Sequence, residues 1–319
     1  MRYASGMRPT LIIGLTIALA AALPAVARAQ VGRRNFIAPL IVEDANPSNS
    51  LDLIPGWVKL SHGTLLSLNA SLEKQLSQNF SLQLGGGWND PACQPGHACS
   101  LATFTRAGRH RQRRRSSQLL SGFEDFEILT KYAFLESARH ELRLAIGSDL
   151  FLTNGNPSAG CTRHTYFGPI LMFSKGMGDL PDWPATRYMR PLALQADLED
   201  LVKTGGTQAN QVNADWVVSY QFSYLTSYVR DFGWPAPLVD LNPFGEFTYG
   251  QYVQGGRGAT QPDLRVLPGI AWVNGPFQVS LASEFSLNRV ETQATHAAVI
   301  AMLSLTLDQL IPEFGWTPL

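Results

Sequence analysis

The stretch Cys93-Gln94-Pro95-Gly96-His97-Ala98-Cys99 sets two thiols and an imidazole close together. Such groups can hold a metal, but a closed site needs a fourth ligand, and none stands beside them. In an oxidising compartment the same spacing suits a small-loop disulfide between Cys93 and Cys99, which ranks ahead of metal. Cys161 is then left over, as a free thiol or as the true partner of one of the other two. The second candidate is a basic run containing Arg109, Arg111, Arg113, Arg114 and Arg115. A run of this kind attracts polyanions, including the phosphates of surface glycolipid, although a solvated loop is the commoner outcome. No aromatic residue interleaves with the arginines, and the formal net charge is zero, so nucleic acid is not expected as a partner. The six histidines (His62, His97, His110, His140, His164 and His296) show no metal-ligand spacing. No nucleophile elbow, phosphate loop or dinucleotide fingerprint is present. Gly176-Met177-Gly178 lies in a proline-flanked loop, without the strand-to-helix context that such glycines need. A Ser-His hydrolase would be assembled only in space, and nothing positive points to an enzyme, cofactor or metal.

A different set of groups shares a geometry instead of a motif. Glu127, Lys131, Glu141, Arg143, Asp149, Asp197, Glu199, Glu246, Arg265 and Glu284 all fall on the polar parity of alternating segments. If the opposite parity faces lipid, these side chains point into a lumen. Charges of both signs in a narrow lumen more often pair structurally than line a selective pore.

The elements that would position them are strands. From Phe126 to Leu152, Phe126, Ile128, Tyr132 and Phe134, then Leu142, Leu144, Ile146, Leu150 and Leu152, take one parity. Glu127, Lys131, Glu141, Arg143 and Asp149 take the other. Successive strand residues face opposite sides, so this is a hairpin with one apolar and one polar face. Leu66 to Leu84 forms a second hairpin around Ser77-Gln78-Asn79. Further strands are expected over Thr165–Ser174, Pro191–Leu201, Trp216–Tyr224, Leu238–Tyr249, Leu264–Trp272, Phe277–Leu287 and Val299–Leu307. A strand around Phe36–Val42 completes about twelve, within a range of ten to fourteen. Trp88, Trp216 and Trp272 are read as aromatic girdle residues.

Charged residues make up 16 % of the chain, below the roughly 25 % of soluble domains, while hydrophobic residues make up 45 %. Residues 1–29 read as a secretory signal: Arg2 and Arg8, an apolar core over Leu11–Leu23, and Ala27-Arg28-Ala29 before Gln30. After it, nothing approaches eighteen consecutive apolar residues. The expected fold is all-β: an antiparallel up-and-down transmembrane β-barrel of the bacterial outer membrane. Residues 30–63 form an N-terminal segment, either a first strand or a plug. The barrel follows over 64–319, with long outer loops at 89–122, 153–164, 202–215 and 251–263. Tight links at 74–79, 135–139 and 273–276 fall on the opposite, periplasmic end, as such barrels require. The links at 175–190 and 229–238 are longer than that pattern prefers.

Three blocks of sequence resemble a family. They are Phe36-Ile37-Ala38-Pro39-Leu40-Ile41-Val42-Glu43-Asp44, the run from Phe167-Gly168-Pro169-Ile170 through Lys175-Gly176-Met177-Gly178-Asp179-Leu180-Pro181-Asp182 to Arg190-Pro191-Leu192-Ala193, and Ser223-Tyr224-Leu225 with Pro235-Ala236-Pro237-Leu238. Together they are similar to proteobacterial outer-membrane barrels named for the meta-pathway of phenol degradation. The resemblance implies a barrel that passes aromatic or other apolar small molecules, and it brings no catalytic or binding residues. The chain ends in Leu319, not in the aromatic residue with which many such barrels address the assembly machinery. The functional expectation is passive admission of small, apolar or aromatic molecules. The alternative is a non-transporting surface barrel whose loops bind glycolipid or a partner.

Overall fold

The computed structural model describes residues 30–31, 34–60, 63–93, 121–156, 165–204, 210–253, 262–287 and 295–316. Twelve long strands dominate it: β1 (Ser50–Leu60), β2 (Gly63–Ser77), β3 (Phe80–Cys93), β4 (Phe126–Ser137), β5 (Leu142–Leu152) and β6 (Tyr166–Gly176), then β7 (Leu192–Lys203), β8 (Asn210–Tyr220), β9 (Leu241–Val253), β10 (Asp263–Asn274), β11 (Phe277–Ser286) and β12 (Thr295–Thr306). Each pairs antiparallel with its neighbour in sequence, and β12 pairs with β1 through registers such as Leu303↔Leu53. The sheet therefore closes, which leaves no strand edge unpaired. This is a twelve-strand up-and-down β-barrel.

The alternation read from the sequence sets the two faces. On β6, Phe167, Pro169 and Leu171 point outward, whereas Tyr166, Gly168, Ile170, Met172, Ser174 and Gly176 point inward. Leu66, Leu68, Leu72, Ile146, Leu171, Leu198, Leu281 and Phe285 are all exposed on the outside. A belt of exposed aliphatic and aromatic side chains would be costly in water and is what an acyl-chain environment requires. No helix of the described residues is long and apolar enough to cross a membrane.

Residues 78–79, 138–141 and 275–276 make short turns at one end. Gly275 supplies the positive φ that one of these turns needs. Residues 177–191 and 221–240 make longer links at that same end and include short helical turns at Arg187–Met189 and Phe222–Tyr224.

Several expectations need correction. The first strand is Ser50–Leu60, not Phe36–Val42, so the barrel starts ahead of residue 64. Residues 36–42 carry two adjacent apolar pairs, Phe36-Ile37 and Leu40-Ile41, and almost all of 34–49 is buried without a period of two. That pattern marks a segment surrounded on all sides. The strand expected over Trp216–Tyr224 instead runs Asn210–Tyr220, then turns helical at Phe222–Tyr224. The 202–215 connection shrinks as a result, because Leu201 pairs with Gln211. The links at 89–122 and 251–263 also shorten, since β3 reaches Cys93 and β9 reaches Val253. Trp272 stands two residues from the end of its strand, whereas Trp216, stacked 5.6 Å from Phe247, and Trp88 lie four and five residues in. Hydrogen-bonded ladders extended these strands past the point where polar residues suggested loops.

Candidate functional site

The lumen is occupied by the chain's own residues 34–49. This segment enters at the short-turn end, rises to Leu40–Glu43, and returns to start β1. Arg34–Asn35 pairs antiparallel with Gln30–Val31, but from Phe36 onward the buried backbone lies outside the barrel ladder, and the barrel's inward side chains supply its hydrogen-bond partners. Ala38 N–H donates to Gln278 Oε1 at 3.0 Å, and Gln278 Nε2 donates back to Ala38 O at 2.6 Å. Leu40 and Ile41 N–H reach the two oxygens of Glu246 at 2.5 and 2.9 Å. Glu43 N–H reaches Asp197 Oδ2 at 2.7 Å, and Ala45 N–H reaches Ser174 Oγ at 3.5 Å. Gln195 Nε2 donates to Ile37 O at 3.0 Å, and Gln221 Nε2 donates to Asn35 O. Much of the buried polar wall is thus the hydrogen-bonding complement of the segment's backbone.

Charges fix its two feet. Arg34 is fully buried and contacts Glu141 at 3.0 Å, Gln221 Oε1 at 3.1 Å and the carbonyls of Pro191 and Arg190 at 2.9 and 2.5 Å. Its guanidinium also lies 4.0 Å from the centre of the Tyr224 ring. Glu141 adopts a left-handed backbone at the end of its turn (φ 47°) and accepts hydrogen bonds from Gly178 N–H and Tyr224 Oη. A Cβ at Gly176 would stand 2.2 Å from Glu141 Oε2, and one at Gly178 would stand 2.2 Å from Tyr224 Oη. The Gly-Met-Gly motif therefore makes room for this node. At the other foot, Lys131 lies 3.1 Å from Glu73, 3.7 Å from Glu43 and 3.8 Å from Asp44. Ser48 donates to Glu73 through both N–H and Oγ, and Arg143 donates to Asn46 Oδ1 at 2.7 Å.

The space around the segment has two characters. Ile37, Leu40, Ile41 and Val42 pack on Ile54, Val58, Leu60, Leu65, Val217, Phe244, Leu267 and Met302, an apolar wall from β1, β2 and β8 to β12. The wall from β3 to β8 is mixed: Ala45 packs on Leu129, Ala133, Ala145, Ile170 and Met172, and Phe151, Tyr166 and Leu201 form a second apolar group, among many buried polar side chains. Toward its loop end stand Glu124, Asp125, Glu127, Asp149, Glu199 and Asp215, all buried. There Asn89 Nδ2 donates to Glu124 and Asn213 Nδ2 to Glu199. Across the lumen Arg265 pairs with Asp263 and, at 3.2 Å, with Glu284.

The ten residues expected on the lumen side all lie inward. Lys131, Glu141, Arg143, Asp197 and Glu246 engage residues 34–49, while Glu127, Asp149, Glu199, Arg265 and Glu284 line the wall beyond them. Sequence reasoning missed Arg34, Glu73 and the glutamines Gln195, Gln221 and Gln278. The inward parity of Glu73, Gln195 and Gln278 was a readable signal, whereas nothing local marks Arg34. The signal segment 1–29, the arginine run 109–115, Cys99 and Cys161 lie outside the described residues, as does the side chain of Cys93. Among the described residues no His/Cys/Asp/Glu group has the geometry of a metal site. His140 Nδ1 lies 3.0 Å from Asp179, which Lys175 also reaches at 2.8 Å.

No protein-family model matches the chain, and neither does any curated protein. Among solved structures it is similar to an outer membrane channel from Pseudomonas putida F1 (TM-score 0.48, 11% identity, 85% of this chain and 99% of that one). It is also similar to a KdgM porin (TM-score 0.44, 8% identity, 80% and 98%) and to LpxR from Salmonella typhimurium (TM-score 0.44, 11% identity, 80% and 99%). These TM-scores are below 0.5, and the fold stands on the strand ladder of the chain itself.

Proposed function

We propose that the protein is an outer-membrane channel that passively admits small solutes when residues 34–49 move from their seat. The observation that carries this reading is how the segment is held. From Phe36 to Ser48 it is held by hydrogen bonds that involve side chains, ion pairs and apolar packing; backbone pairing lies at its two ends, at Arg34–Asn35 with Gln30–Val31 and at Asn49, whose carbonyl accepts from Leu307 N–H. Residues 36–48 can leave without opening the barrel ladder. Their departure would uncover a passage with one apolar wall, from Val58 to Phe244 and Met302, facing a mixed one that is acidic toward the loop end. Such a passage suits small molecules with an apolar or aromatic body and a polar edge. In this reading the short-turn end is periplasmic, as outer-membrane barrels require, and the apolar exterior meets lipid.

The test is a reversible tether. Ala45→Cys with Ser174→Cys joins the segment to the wall where Ala45 N lies 3.5 Å from Ser174 Oγ. In planar bilayers the oxidised variant is expected to be silent and to regain single-channel steps on reduction, while the wild type ignores both treatments. Equal conductance in both redox states would remove the segment as the gate. A second reading, a closed surface barrel that binds glycolipid or a partner through its loops, is favoured by the filled lumen. It predicts no steps from the reduced variant or the wild type.

A further inference from the structure

One patch at the periplasmic rim is left over by the lumen. The link 221–240 is exposed from Arg230 to Leu238, yet it is rich in large rings. Those rings form a connected row: Phe232 stacks on Trp234 at 5.1 Å, Trp234 meets Phe222 at 5.2 Å, and Phe222 meets Tyr220 at 5.9 Å. Tyr220 is the last outward residue of β8, below Val218 and Trp216, so the row continues the apolar exterior past the end of the wall. Tyr220 Oη donates to Tyr188 O, which ties in the neighbouring link with exposed Tyr188 and Met189. Arg230 holds its guanidinium 5.2 Å over Phe232 and has no carboxylate partner among the described residues. The adjacent Asp231 turns back on its own loop, accepting from Gly233 N–H.

Aromatic rings that continue a lipid-facing surface, with a cation beside them, match the glycerol and phosphate zone of a bilayer. We propose that link 221–240 is an interfacial anchor seated on the periplasmic leaflet. Phe222, Phe232 and Trp234 enter the glycerol and upper-acyl layer, and Arg230 binds the phosphate of an anionic phospholipid. The proposal rests on the outer-membrane reading, and one experiment separates the two.

The full chain is reconstituted in phosphatidylethanolamine–phosphatidylglycerol vesicles whose lipids carry bromine at shallow or deep acyl carbons. The emission of Trp234 is taken as wild type minus Trp234→Phe. The remaining tryptophans report insertion: quenching of Trp57 and Trp216 by the deep bromines confirms the barrel in the membrane. The Trp234 component is expected to be quenched more by shallow than by deep bromines and to be shielded from aqueous iodide. Confining the bromine to phosphatidylglycerol should quench it about twofold more than confining it to phosphatidylethanolamine at equal mole fraction, and Arg230→Gln should abolish that preference. Iodide quenching without lipid quenching, in an inserted barrel, would overturn the anchor and leave the patch to a periplasmic protein. Equal quenching by the two lipids in the wild type would overturn the phosphate assignment.

Discussion

Arg34 and Glu141 are 107 positions apart, and their side chains meet at 3.0 Å in a buried ion pair at the foot of the lumen segment. Glu141 is held from three sides, by Arg34, Gly178 N–H and Tyr224 Oη. The pair therefore fastens residues 34–49 to two separate links at the short-turn end.

Removing one partner of a buried pair costs about 3–5 kcal/mol, chiefly by stranding the other charge. Arg34→Ala should raise the open population of the segment at least roughly a hundredfold, since each ~1.4 kcal/mol is tenfold. Hydrogen exchange at the amides of Leu40, Ile41 and Glu43 should accelerate by that factor, with strand amides unchanged. Gly178→Ala should act in the same direction, because the new methyl collides with Glu141 Oε1 and Tyr224 Oη. Unchanged exchange in both variants would show that the node does not hold the segment.

Glu246 receives two consecutive amides at the tip of the segment. A hydrogen bond to a charged group is worth about 1.5–3 kcal/mol, and Glu246→Gln keeps only one carbonyl acceptor. Opening at Leu40 and Ile41 should rise roughly tenfold or more. Bilayer recordings should show longer open times than the wild type.

Lys131 is buried among Glu73, Glu43 and Asp44. Lys131→Met leaves those carboxylates facing one another and should lower barrel stability by about 3 kcal/mol or more. Heat-modified gel mobility reads this as a lower transition temperature. Adding Glu73→Gln should recover part of the loss, since the two sites share one network. Strict additivity would contradict the network.

Asp179 ties link 177–191 to the turn at His140. Burial pushes its carboxyl up, but hydrogen bonds from Lys175 and His140 outweigh this and hold it below its ordinary value. A depressed carboxylate contributes stability above its unfolded value and loses that contribution as pH falls through the folded one. The tie should thus be whole at neutral pH and fail only below the ordinary carboxylate range. Amide exchange across 177–180 should rise in acid, and Asp179→Asn should reproduce that rise at pH 7. The group is partly exposed, so salt should weaken the effect.

The sequence by itself determined the barrel wall. A period of two, repeated over strands of ten or so residues, needs no partner to be read: Phe126 to Leu152 names its own faces, and the charges on the inner face follow by parity. What fills the barrel was decided by the tertiary structure. Residues 36–42 look as apolar as a strand, and only a surrounding wall distinguishes a lumen segment from a wall strand. Arg34 has meaning only where Glu141, Pro191 and Gln221 converge, and the closeness of Gly176 and Gly178 exists only around that side chain. The physical reason is range. Strand faces follow from adjacent residues, whereas the backbone of residues 38–45 depends on acceptors that lie more than a hundred residues away.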